Sequence, residues 1–295
     1  LREDNYMADK VVYKIKGHEK FSLREGWLNK GILAIKENPK VFVGNDGPDI
    51  LGVGNNMVKS IRYWMQAFNL IEESQKDGAN LSLLGEVICE EDIFFEDIFT
   101  LWVLHANLVK NIEKSTLWYI FFNRCSVEEF NKTDIFNLIN MELFKYIGNN
   151  NVPEGSIKDD IDVLLSMYTK GSIKNDDPED KNVSPFAILG LIKKEEEKYI
   201  RLQPDLRKIN EWVILYELSC MFEKEDNISI DAISIGEKSL GSIYNLSRVT
   251  INGYLDRLDS LGYIKVDRTA GLDMVYPVKI NNHIQVIKEY YKQRK

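Results

Sequence analysis

The stretch NLSRVTINGYLDRLDSLG, residues 245–262, decides the fold of this chain. Ser247 can cap the first free amides of a helix with its hydroxyl. Val249, Ile251, Tyr254, Leu255, Leu258 and Leu261 then recur at helical spacing and predict one apolar stripe. Gly262 stops the run at a position suited to a left-handed cap. Working outward, residues 263–267 and 274–277 read as strands joined through a glycine-containing loop at 268–273. Upstream, Trp212, Leu215, Tyr216, Leu218 and Phe222 mark one helix, residues 227–230 a short strand and residues 237–244 a second, short helix. Helix, strand, short helix, turn, longer helix and hairpin is the order of a winged helix-turn-helix, with Leu246 expected to plug the corner.

In that design the longer helix offers polar side chains to the major groove and the hairpin wing touches the backbone. Ser247, Arg248, Thr250 and Asn252 are therefore the expected groove residues, and Lys265, Arg268 and Thr269 the wing contacts. Asp256 and Asp259 oppose Arg248 and Arg257 on the same helix. Winged helices also serve as dimerisation and protein-interaction modules, so homodimerisation is a reading alongside DNA contact.

The N-terminal part echoes this unit. Subtracting 193 from the numbers places Leu246, Ile251, Tyr254, Leu258, Leu261 and Ile264 over Val53, Val58, Ile61, Met65, Phe68 and Ile71, all apolar. Residues 55–73 read as one amphipathic helix, followed by a polar turn at 76–80. Asn55, Asn56, Lys59 and Arg62 are its expected outward, DNA-contacting side chains. The charge distribution agrees: of a net −8, residues 10–70 carry +5, residues 235–295 carry +4 and residues 71–234 carry −15. Basic ends around an acidic middle suit ends that meet phosphate.

The expected architecture is mainly α with α+β winged-helix elements, at both ends of a helical middle domain. Its parts are a winged-helix-like region at 10–75, an acidic helical domain at 81–200 containing a linker at 171–184, and a winged helix-turn-helix at 205–295. Three widely spaced cysteines (Cys89, Cys125, Cys220) offer neither a disulfide framework nor a C-x-x-C zinc pair. Three distant histidines give no metal-ligand spacing, so neither metal nor cofactor is expected. With no signal-peptide pattern at residues 1–10 and no membrane-length apolar run, a cytoplasmic location and no membrane partner are expected.

GHEKFSLREGWL at 17–28, LGVGNNMV at 51–58 with Ile61, Arg62 and Trp64, LWVLH at 101–105 and TAGLD at 269–273 resemble successive blocks of the bacterial domain-of-unknown-function 4007 family. The first block is close to G-H-E-T-F-x-L-R-x-G-W-L, with Lys20 where threonine is commoner. The resemblance spans nearly the whole chain and implies no established activity. It implies a setting near sulfur-transfer, DNA-phosphorothioation or phage-defence genes.

Catalytic readings are weaker than structural ones. His18 beside Glu19, with Arg24 and Trp27 nearby, has the makings of a general base and an anion clamp. Without a nucleophile or metal cluster beside them, His18 and Arg24 are expected to make ordering contacts while Phe21, Leu23, Trp27 and Leu28 anchor the domain. Asp92, Glu96 and Asp97 read as the solvated face of one helix shared with Trp102 and a partly buried His105. Glu179-x-Lys181 and Glu196-x-Lys198 match the E-x-K of nucleases formally, in highly charged surroundings. Neither a Walker nor a Rossmann fingerprint occurs. The expected function is thus double-stranded DNA binding by a non-enzymatic accessory or regulatory protein of a modification or defence system. The alternative is an adaptor that docks a sulfur-transfer or modification partner, and a nuclease ranks third.

Overall fold

A computed structural model describes residues 11–148, 152–169, 184–279 and 282–294. Residues 171–183 of the expected linker, with Glu179-x-Lys181, lie outside them. The fold is α+β, about 55% helix with small antiparallel sheets. Among the described residues no helix is long and apolar enough to cross a membrane.

The chain opens with α1 (Trp27–Glu37), α2 (Gly47–Leu51) and α3 (Asn55–Ala67), then the hairpin β1 (Ile71–Ser74) and β2 (Gly78–Leu81). Ile71 pairs with Leu81 and Ser74 with Gly78. Residues 55–73 are therefore not one helix: α3 ends before Asn69, whose φ of 57° turns the chain into the hairpin. The expected polar turn at 76–80 is strand from Gly78 onward, because β2 pairs with β1 there, and Ala79 N also donates to Pro39 O at 2.8 Å. A Cβ on Gly78 would sit 2.3 Å from that carbonyl, so the register requires glycine there.

The middle comprises α4 (Leu83–Glu91), α5 (Ile98–Lys110), α6 (Thr116–Asn123), β3 (Glu129–Phe130), α7 (Lys132–Ile147), α8 (Glu154–Tyr168), a 3-10 turn at Pro185–Leu189, and the hairpin β4 (Ile192–Glu195) and β5 (Lys198–Arg201). Every residue of α5 from 99 to 109 is buried, which marks it as the helix at the centre of the core. β5 lies between β3 and β4 in a sheet the sequence reading missed. Its hairpin is mostly Lys and Glu, with Ile192 and Tyr199 the buried apolar positions, so no alternation betrays it. The shared helix expected for Asp92 to His105 is also corrected. Asp97 is the N-cap of α5, accepting from Phe99 N at 2.9 Å, and is only 5% exposed rather than solvated.

The last part contains α9 (Glu211–Phe222), β6 (Ile228–Ser229), α10 (Ile230–Ser234), α11 (Leu240–Tyr244), α12 (Arg248–Ser260), β7 (Ile264–Asp267), β8 (Met274–Pro277) and α13 (His283–Arg294). β8 pairs antiparallel with both β6 and β7. Ser247 caps α12 through Thr250 N, Leu246 is buried in the corner, and Gly262 takes φ 72°. The buried stripe of α12 is narrower than expected: Ile251, Leu255 and Leu258 are buried, whereas Val249 and Leu261 are 84% and 45% exposed. The short helix begins at Leu240, capped by Ser239, rather than at 237.

The 193-residue offset holds in the observed secondary structure. Adding it to the bounds of α2, α3 and β1 gives those of α11, α12 and β7, residue for residue. The left-handed residues Gly52 and Asn69 fall on left-handed Asn245 and Gly262, and the N-cap Gly54 on the N-cap Ser247. The two units part at their hairpins, where residues 268–273 make a longer connection than 75–77.

The ends are fastened to the middle. α13 packs on α4 and α9; Tyr290 Oη donates to both Asp97 oxygens at 3.0 Å, Arg294 pairs with the same carboxylate, and Tyr291 bonds Thr100. Trp102 Nε1 donates to Lys208 O at 2.6 Å.

Candidate nucleic-acid interface

The first turn of α12 stands outward because its apolar stripe begins only at Ile251. Arg248 and Val249 are exposed there, but each expected contact residue already has a partner in the chain. The Arg248 guanidinium meets Asp231 at 2.5 Å, with both side chains well exposed. Ser247 N donates to Gln203 Oε1 at 2.8 Å, and Thr250 Oγ1 donates to the same oxygen at 3.2 Å. Asn252 Nδ2 donates to Arg248 O, and its Oδ1 accepts from Arg268 at 2.9 Å. Arg268 also reaches Asp256 at 2.7 Å, so the start of the loop between β7 and β8 is fastened to the outer face of α12. Lys265 lies 3.6 Å from Asp259. Thr269 gives its amide and hydroxyl to Asp267, and those bonds hold that carboxyl below its ordinary range. Gln203 escaped the sequence reading because it lies more than 40 residues away with no local signal.

On α3, Asn55, Asn56 and Lys59 are exposed and fall on Arg248, Val249 and Asn252 in the repeat. Arg62 departs from the expectation. It falls on the buried Leu255, facing the hairpin rather than the outward turn, and Glu73 holds its guanidinium at 2.7 and 2.8 Å. The bond to Glu73 raises the Arg62 pKa further.

The 17–28 block is a clasp onto α8. His18 is fully buried; its Nδ1 accepts from Lys20 N at 3.1 Å, so Nε2–H donates to Asp160 Oδ1 at 2.9 Å. The ring stacks on Trp64 and meets Tyr63 and Trp118 edge-on. Burial raises the Asp160 pKa against the opposing bonds from His18 and from Lys16 N. Lys16 and Lys20 both pair with Asp159 at 3.0 Å, so the lysine at 20 has a structural partner. Arg24 lies over Phe21 and Trp27 at 5.6 and 5.3 Å, while Leu23, Trp27 and Leu28 are buried. A base enclosed in this way has no route to an external substrate. His105 is likewise fully buried rather than partly so, bonded to Tyr168 Oη and Ile243 O at 2.7 Å each. Glu196 sits at the tip of the β4–β5 hairpin and Lys198 begins β5. Among the described residues no three His, Cys, Asp or Glu side chains gather to hold a metal ion.

A model of the DUF4007 proteins, described as proteins of unknown function, matches residues 15–291. The chain belongs to this family. Two solved structures share its fold: magnesium ion-bound SspB, with a TM-score of 0.85, and SspB, with 0.84. Each is 22% identical, and the match covers 96% of this chain and 89% of the other. No curated protein matches.

Proposed function

We propose that the chain binds double-stranded DNA, as a non-catalytic accessory or regulatory member of a bacterial DNA-modification (phosphorothioation) or phage-defence system. Each repeated unit acts as a winged helix-turn-helix, the second with α12 in the major groove and the 268–273 loop on the backbone. The observation that carries the reading is the outward first turn of α12, repeated 193 residues earlier in α3 with the same helix bounds and left-handed turns. Family membership supports the biological setting through the resemblance alone.

The ion pairs on the α12 face do not oppose this function. Pairs exposed to this extent contribute about 0.2 to 1 kcal/mol, which several phosphates in succession can outcompete. The expected result is duplex binding with a steep salt dependence, weakened by Arg248→Ala combined with Lys59→Ala. Absence of duplex binding at low salt overturns the proposal, as does binding that the double variant leaves unchanged. A second reading, docking of a protein partner, is favoured by Ile235, Val249 and Leu272, which are 65%, 84% and 58% exposed. Val249→Ser separates the two, since it removes apolar partner contact while preserving phosphate contact.

A further inference from the structure

We propose that the pocket between the base of the β7–β8 hairpin and α13 binds a phosphate of the duplex backbone. The inference rests on the DNA-binding reading and assigns that reading an electrostatic contact outside α12 and the wing. The pocket encloses about 590 Å³ and is lined by Tyr263, Lys279, Gln285, Lys288, Glu289 and Lys292. Three lysines and a single acidic residue therefore line it. Lys288 has no ion pair among the described residues, and Lys292 lies 3.9 Å from Glu289 with its side chain 80% exposed. Lys279 donates to Leu261 O at 3.3 Å and lies over the Tyr263 ring. The contrast with α12 and its wing is direct: there Arg248, Arg257, Lys265 and Arg268 each have a carboxylate within 3.6 Å.

Gln285, Lys288 and Lys292 recur on one face of α13 at spacings of three and four, so their donors line up along the helix. Lysine binds phosphate as a point charge and needs no fixed fork geometry. The position is also suitable. The bond from Lys279 to Leu261 O puts the pocket at the C-terminal end of α12, and thirteen residues of helix span about 20 Å. A major groove is about 12 Å wide, so a helix that presents its N-terminal turn to bases can end beside the flanking phosphates. The C-terminal end of the homeodomain reading helix touches the backbone in the same way.

The test is a fluorescence-anisotropy titration of a short duplex from 50 to 200 mM salt, with wild type and Lys288→Ala/Lys292→Ala. Both positions are exposed on a helix, where alanine preserves folding. The expected result is a salt slope smaller by about 2. Over that fourfold range the wild type then loses about 12- to 16-fold more affinity than the variant. The same loss is expected on unrelated duplex sequences, and a Lys158→Ala/Lys193→Ala control of equal charge change is expected to keep the wild-type slope. A wild type that binds duplex with a slope the Lys288/Lys292 variant reproduces overturns the pocket assignment and leaves the DNA reading standing. An equal drop in the control overturns it too, by reducing the effect to net charge. A wild type that binds no duplex overturns both.

Discussion

Removing the carboxylates that hold Arg248 and Arg268 is expected to tighten DNA binding. Asp256 holds the wing's Arg268 at 2.7 Å and Asp231 holds Arg248 at 2.5 Å, and a phosphate must displace each carboxylate to use the guanidinium. The side chains are 41% and 60% exposed in the first pair and 48% and 70% in the second, so these are screened surface pairs. Such pairs are worth about 0.2 to 1 kcal/mol, and asparagine at one carboxylate removes that competition. The gain in affinity is then about 1.4- to 5-fold for Asp256→Asn and similar for Asp231→Asn, while the double variant departs from the product, because Asn252 bonds both Arg248 O and Arg268. Anisotropy at 100 mM salt on one duplex measures it, with thermal melting to verify that the fold is unchanged. If Arg248 and Arg268 serve only to brace the fold, both variants bind duplex as wild type does or more weakly, and that result refutes the argument.

Two further predictions concern the frame that holds the interface. Gly17→Ala brings a methyl to 2.3 Å from the buried Tyr63 ring, so a loss of about 1 to 3 kcal/mol is expected, read as a lower melting temperature. Burial lowers the His105 pKa to about 3, so between that value and the ordinary 6.5 the unfolded chain binds a proton that the folded chain does not. Stability carried by His105 is therefore complete above pH 6.5 and is lost as pH falls, by about 2 kcal/mol at pH 5. Urea unfolding of wild type and His105→Leu across pH 7 to 5 checks this, with a flatter profile expected for the variant.

Local signals in the sequence were enough for the α11–β8 unit: Ser247, Leu246, Gly262 and the 251/255/258 stripe each do locally what their chemistry dictates. The same locality explains the repeat, because caps, left-handed turns and apolar spacing are all short-range. Features set by distant partners escaped it. The β4–β5 hairpin is a run of Lys and Glu without apolar alternation, and β3, which completes its sheet, lies far upstream in the chain. Asp97 looked like surface charge, and only α13, nearly 200 residues later, supplies the Tyr290 and Arg294 that bury it. Arg62 looked outward because helical spacing alone does not reveal that Glu73 of the following hairpin will claim it.

The repeated unit bears on what kind of site a single chain can read. A two-fold dimer offers two identical helices and so matches palindromes. Here α3 carries Asn55, Asn56 and Lys59 where α12 carries Arg248, Val249 and Asn252, and one polypeptide joins them. Under the proposed DNA-binding function, a duplex engaged by both helices would meet two unlike half-sites, and the protein would sit on it in one polarity, distinguishing upstream from downstream.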